Sequence, residues 1–255
     1  NAQLTDQSFA EFFARDDLPD FDFVALHGIW SWISDENRAL IVDFLRRKLR
    51  VGGVVYVSYN TLPGWAAAMP MRELFVQHAR HMSPPALDSV SKVEAALEHV
   101  AKLFATKPGY LALNPQIETR FEALKGMDRR YLAHEYFNQD WRPMYFTEIA
   151  EAMSTAKLNF ACSANYSDLL DEVWMTPEQA AIMEAAPNEV LTQTTRDYLV
   201  NQQFRRDIWI KGGERLPPAK GLELLGAQRV ILVVPKSDVT LATTLGGREI
   251  TLQEE

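Results

Sequence analysis

Cysteine occurs only once, at Cys162. No internal disulfide can form, and a reducing cytoplasm is the expected compartment. Apolar runs stop well short of the ~20 residues that a membrane-spanning helix needs, so no membrane span is expected. Positive charge is in deficit, with 26 Lys+Arg against 34 Asp+Glu and a formal net charge of −8. That balance argues against the clustered basic surface of a nucleic-acid binder. Nowhere in the 255 residues do two glycines stand two apart. The Gly-x-Gly turn of a dinucleotide or nucleoside-cofactor fold is therefore missing, and so is a phosphate loop. The chain opens at Asn1 with no Met, no basic leader and no apolar signal core. Metal-ligand spacing is lacking too. His78 and His81 stand three apart with no cysteine or carboxylate to complete a set, and read as a solvated helix face. His134-Glu135 has no second histidine four residues on.

What is present is ordinary folding material, 47% hydrophobic and 24% charged. Residues 21–28 (Phe-Asp-Phe-Val-Ala-Leu-His-Gly) form an apolar run of strand length ending in a polar residue and a glycine. Ser34 then suits an N-cap, with Asp35 and Glu36 complementing the helix dipole. Leu40, Ile41, Phe44, Leu45 and Leu49 recur at helical spacing, and Gly52-Gly53 end the helix. Val54–Asn60 is a second strand, rich in β-branched and aromatic residues. Strand, helix, strand is a βαβ unit, for which a parallel α/β sheet is the expected context.

From Pro63 the pattern turns helical. Helices are expected at Met71–Met82, over Val90–Phe104, after Asn114-Pro115, at Arg129–Phe137 and Phe146–Ala156, and from Glu189 to about Gln203. Thr176-Pro177-Glu178-Gln179 has capping-box spacing with proline at the first helical position. Gln228–Val234 and Glu249–Leu252 read as strands. Cys162, in an apolar-flanked run, reads as a buried structural thiol. Phe204-Arg205-Arg206-Asp207 reads as an interdomain salt bridge.

Open α/β sheets bind ligands beyond the carboxyl ends of their strands. That rule gathers His27, Gly28, Trp30, Trp32, Tyr59 and Asn60 at one edge as candidates. His27 equally suits a structural histidine bonded to backbone, and the tryptophans suit core filling, since position in a fold licenses a cleft but not a reaction.

Asp20–Trp32 and Leu49–Trp65 together resemble one group of bacterial class I S-adenosylmethionine-dependent methyltransferases. In that group a methyltransferase regulatory domain follows the catalytic Rossmann-like domain. Tyr131–Trp141 and Phe204–Gly212 are similar to that regulatory domain's own signatures, so the resemblance covers about residues 1–215. It implies an α/β plus α architecture in three parts. Residues 1–83 would be the C-terminal half of a Rossmann-like methyltransferase sheet, with Asp20–Gly28 its fourth strand and Val54–Asn60 its fifth. Residues 84–215 would be a mainly helical regulatory domain, and 216–255 a short β-rich tail or the start of a further domain. The cofactor loop would then lie upstream of Asn1, making the chain a fragment that binds S-adenosylmethionine poorly. His27, Tyr59 and Asn60 would be catalytic, and His27, Gly28 and Trp30 would border the cofactor. The family includes protein-lysine methyltransferases, which implies a protein substrate.

Two other readings compete. The helical middle could be a non-catalytic interaction module that binds a partner or substrate protein. Alternatively, a natural short chain could complete its partial sheet by homodimerising through an exposed edge.

Overall fold

The computed structural model describes residues 2–213, 216–245 and 248–251. A capping box between Ser8 and Glu11 starts α1 (Phe9–Phe13), and β1 (Phe21–Leu26) follows. The Ser34 hydroxyl accepts from the Asn37 N–H to start α2 (Asp35–Lys48), whose last turn carries Arg46, Arg47 and Lys48. Strand β2 (Leu49–Asn60) begins five residues earlier than expected and runs parallel to β1, Val24 opposite Val55 and Leu26 opposite Val57.

Helices then dominate: α3 (Met69–His81), α4 (Ser89–Ala105), α5 (Gly109–Leu113), α6 (Gln116–Lys125), α7 (Arg129–Phe137) and α8 (Phe146–Thr155). After β3 (Leu158–Ser163) come α9 (Asp171–Trp174), α10 (Pro177–Glu184) and α11 (Glu189–Leu199). The expected capping box at Thr176 and Gln179 is formed. Helix α11 stops short of Gln203, and Asn201 takes a left-handed turn (φ 49°) into β4 (Phe204–Lys211). The tail holds α12 (Pro218–Gly226) and an antiparallel pair, β5 (Ala242–Leu245) and β6 (Arg248–Thr251).

The main sheet has the order β1-β2-β4-β3. Strands β1, β2 and β3 run in one direction, with β1 and β2 paired in parallel, and β4 runs against them. Strand β4 lies antiparallel to both of its neighbours, so the sheet is mixed rather than parallel. The stretch expected to be a mainly helical domain thus supplies two of the four strands, and a boundary at residue 84 divides one sheet.

Two apolar cores result. Val55, Val57, Tyr59 and Trp209 on one sheet face pack against Ile41 and Leu45 of α2 and Phe146, Ile149 and Met153 of α8. Phe75, Val93, Val100, Phe121, Leu132 and Tyr136 join α3, α4, α6 and α7 into the second.

Three expectations are corrected. Gln228–Val234 is not a strand, and Val230, Ile231 and Val233 are exposed. A β-prone run without a partner strand leaves its backbone groups to water and gains nothing from the extended form. His78 is half-buried against His99 of α4, with ring centroids 4.8 Å apart, rather than on a solvated face. Cys162 is half-buried rather than buried, and desolvation pushes its thiol up. Among the described residues, no helix is long and apolar enough to cross a membrane.

Candidate functional site

Side chains alternate along a strand, and this sorts the candidates at the carboxyl ends of β1 and β2. Val55, Val57 and Tyr59 are fully buried on the α2–α8 side. Ser58 and Asn60 take the opposite side. Tyr59 and Asn60 therefore do not face one cleft.

Tyr59 belongs to a buried polar network instead. Its hydroxyl donates to Asp207 Oδ2 at 2.7 Å. The Arg205 guanidinium donates to both Asp207 oxygens (3.0 and 3.1 Å), to Asp197 Oδ1 at 2.5 Å and to Gln193 Oε1 at 2.8 Å. Desolvation pushes the Tyr59 phenol well above its usual range, so the hydroxyl stays protonated as a donor. Burial likewise raises Asp207, and raises Asp197 to about 6 against the pull of Arg205. The anticipated ion pair at Arg205 is thus a buried tie between α11 and β4. Trp30 also turns away from the open edge. It is 1% exposed within the sheet core, and its carbonyl accepts from Arg38 at 2.9 Å.

His27, Gly28 and Asn60 stay together. His27 is exposed, with Nδ1 3.0 Å from the Tyr56 hydroxyl. Gly28 takes φ +66°, a left-handed conformation that strains other residues, and its N–H donates to Ser58 Oγ at 2.8 Å. Asn60 is 3% exposed, and its N–H donates to Ser31 Oγ at 2.8 Å. Its side-chain Nδ2 is buried without a hydrogen-bond partner. Such an orphan donor costs of order 1–3 kcal/mol.

The segment 134–142 straps the loop after β1. Trp32 stacks on His134 of α7, with centroids 6.1 Å apart. Its carbonyl accepts from Asn138 Nδ2 at 3.3 Å, and the Ser31 carbonyl accepts from the Arg142 N–H at 2.8 Å. On the same helix, Glu135 is half-buried near Asn60. Burial pushes its carboxyl up, while the Asn60 amide, His134 and Arg120 pull the other way. The Asn60 contact falls short of hydrogen-bond geometry but still favours the charged carboxylate. Trp65 and Tyr136 lie alongside, with the Arg120 guanidinium 4.1 Å from the Trp65 ring centroid. Sequence reasoning overlooked Glu135 because it weighed His134-Glu135 only as a zinc motif. The usable signal was its place within Tyr131–Trp141.

Residues 128–211 match the family model described as a predicted methyltransferase regulatory domain. An uncharacterized protein of Synechocystis sp. is 43% identical over 255 residues, which is 100% of this chain and 50% of the relative. An uncharacterized protein of Rickettsia prowazekii is 26% identical over 191 residues, 74% of this chain and 34% of that protein. The chain therefore spans half or less of these relatives' length. Among solved structures, PKMT2 from Rickettsia typhi in complex with AdoHcy matches with a TM-score of 0.63 at 22% identity, covering 88% of this chain and 43% of that one. A second structure of PKMT2 from Rickettsia typhi matches with a TM-score of 0.62, covering 82% and 38%. That likeness shows the fold.

Proposed function

We propose that this chain, whose residues 128–211 match the regulatory-domain model, forms the acceptor side of the cleft of an S-adenosylmethionine-dependent methyltransferase. The four strands fit the C-terminal half of a Rossmann-like sheet, with β1 and β2 as a parallel pair, β3 running in the same direction and β4 inserted against them. The observation that carries the reading is the buried Asn60 side chain, with the Glu135 carboxylate near it, at the carboxyl end of β2 in the parallel pair. An open α/β sheet binds its ligand at that place.

The residues present fit the acceptor-facing part of the cofactor's site. His27, Gly28 and Asn60 would border it, and when bound it supplies an activated methyl group. The chain's own residues orient the acceptor. The strap from His134 to Arg142 fixes the loop that carries Trp32. A site of this kind accelerates transfer mainly by holding the reactants in line and close together.

The donor's own pocket lies outside these residues. No Gly-x-Gly occurs in the 255, and the Synechocystis relative is about twice as long. Alone, the chain is thus an incomplete transferase. A protein amine, such as a lysine side chain, is the acceptor that fits a half-buried carboxylate.

The test incubates the Synechocystis relative and this chain, separately, with S-adenosylmethionine and a lysine-rich protein, and reads methyl-group mass increments. The relative should methylate amines and the chain alone should not. Transfer to carboxylates rather than amines, or none by the relative, would overturn the reading.

A further inference from the structure

The fold brings together two histidines that lie apart in the chain. On α3 the buried side chains are Met71 and Phe75, and His78 continues the same stripe at helical spacing. It therefore turns toward α4 and is half-buried. On α4, His99 flanks the buried Ala96 and Val100 and stays exposed. The two ring centroids lie 4.8 Å apart, with the planes tilted by 35°. His78 Nδ1 is buried with no hydrogen-bond partner, a costly state for a ring nitrogen. An ion about 2.0–2.1 Å from one nitrogen of each ring sits about 3.2 Å from each ring centre, so centres 4.8 Å apart subtend about 97° at it. That angle falls between the octahedral and tetrahedral values. His78 also occupies the last turn of α3, the end of a helix that attracts positive charge.

We propose that His78 and His99 form a two-imidazole site for a divalent first-row transition cation of the Zn²⁺ class, held between α3 and α4. Neutral imidazole suits Zn²⁺, Ni²⁺ and Cu²⁺, whereas Mg²⁺ and Ca²⁺ take oxygen donors. No third histidine, cysteine or carboxylate completes the set among the described residues, so water fills the ion's remaining positions. The site is a product of the fold and owes nothing to the three-residue spacing of His78 and His81, since His81 is exposed on α3. One ion gripping both helices binds the folded chain alone and so stabilises it. The proposal is independent of the methyl-transfer reading, in which neither histidine figures.

The experiment titrates the full chain with ZnCl₂ by isothermal calorimetry, beside MgCl₂, and follows the melting temperature by differential scanning fluorimetry. The wild type should bind one Zn²⁺ saturably and melt higher with it, and Mg²⁺ should do neither. His99→Gln and His78→Gln should each weaken Zn²⁺ binding about tenfold or more, at least the loss that follows when a partner behind a metal ligand is removed. His81→Gln should bind as the wild type does. Circular dichroism checks the fold of each variant, and the exposed His99→Gln keeps the test decisive should His78→Gln unfold. No saturable Zn²⁺ binding by the wild type, or binding indifferent to His99→Gln, would overturn the proposal. So would a loss with His81→Gln as large as that with His99→Gln, which would mark an ordinary pair on one helix.

Discussion

Replacing Tyr59 by Phe removes one oxygen and nothing else, and the structure gives its consequence. Both partners are sealed from water, Tyr59 at 0% and Asp207 at 1% exposure, and the hydroxyl donates to the carboxylate at 2.7 Å. A hydrogen bond to a charged group is worth ~1.5–3 kcal/mol net, and its loss leaves the carboxylate under-solvated. Taking ~2 kcal/mol, and ~2–4 °C per kcal/mol for a chain of this size, the melting temperature should fall by ~4–8 °C. Differential scanning fluorimetry and urea unfolding measure the loss. A melting temperature within about 1 °C of wild type would refute the reasoning.

Three more outcomes follow from the same geometry. Gly64→Ala would place a Cβ 2.2 Å from the Gln202 carbonyl oxygen, a backbone atom that cannot swing aside, so a loss of about 3 kcal/mol is expected by urea unfolding. Asp197 is raised from 3.8 to about 6, so the native state favours its protonated form. Its contribution to stability is full below the unfolded value and is lost as pH rises through about 6. At ~1.4 kcal/mol per pH unit, the part of that loss between pH 5 and about 6 amounts to ~1.4 kcal/mol, and Asp197→Asn should flatten the difference between urea midpoints at pH 5 and pH 7.5. The outer edge of β1 has no ladder partner among the described residues, and Phe23 beside it is 76% exposed. Light scattering should show concentration-dependent association that Phe23→Lys reduces.

Local chemistry made part of this fold legible. The Ser34 cap and the apolar spacing of α2 mark β1-α2-β2 directly, since each signal acts within a few residues, but Gly52 and Gly53, read as the helix stop, lie inside β2. The placement of β4 between β2 and β3 was not legible. Val54 pairs with Ile210, so the pairing is decided by residues some 150 positions apart. Nor does an apolar run say whether it will find a partner, which is why Gln228–Val234 resembles a strand and is not one. At the site, His27, Gly28 and Asn60 follow from the rule about strand ends. The separation of Tyr59 from Asn60 was available from simple alternation along β2. Glu135 was not, because it comes to Asn60 only through the fold of α7 across the strand ends.

The central claim is that these residues hold the acceptor side of a methyl-transfer cleft while the donor's pocket needs residues outside them. Calorimetric titration with AdoHcy, run on this chain and on the Synechocystis relative side by side, tests it most directly. The account predicts saturable binding by the relative and none at low-micromolar concentration by the chain. Saturable low-micromolar binding by the 255-residue chain alone would contradict it.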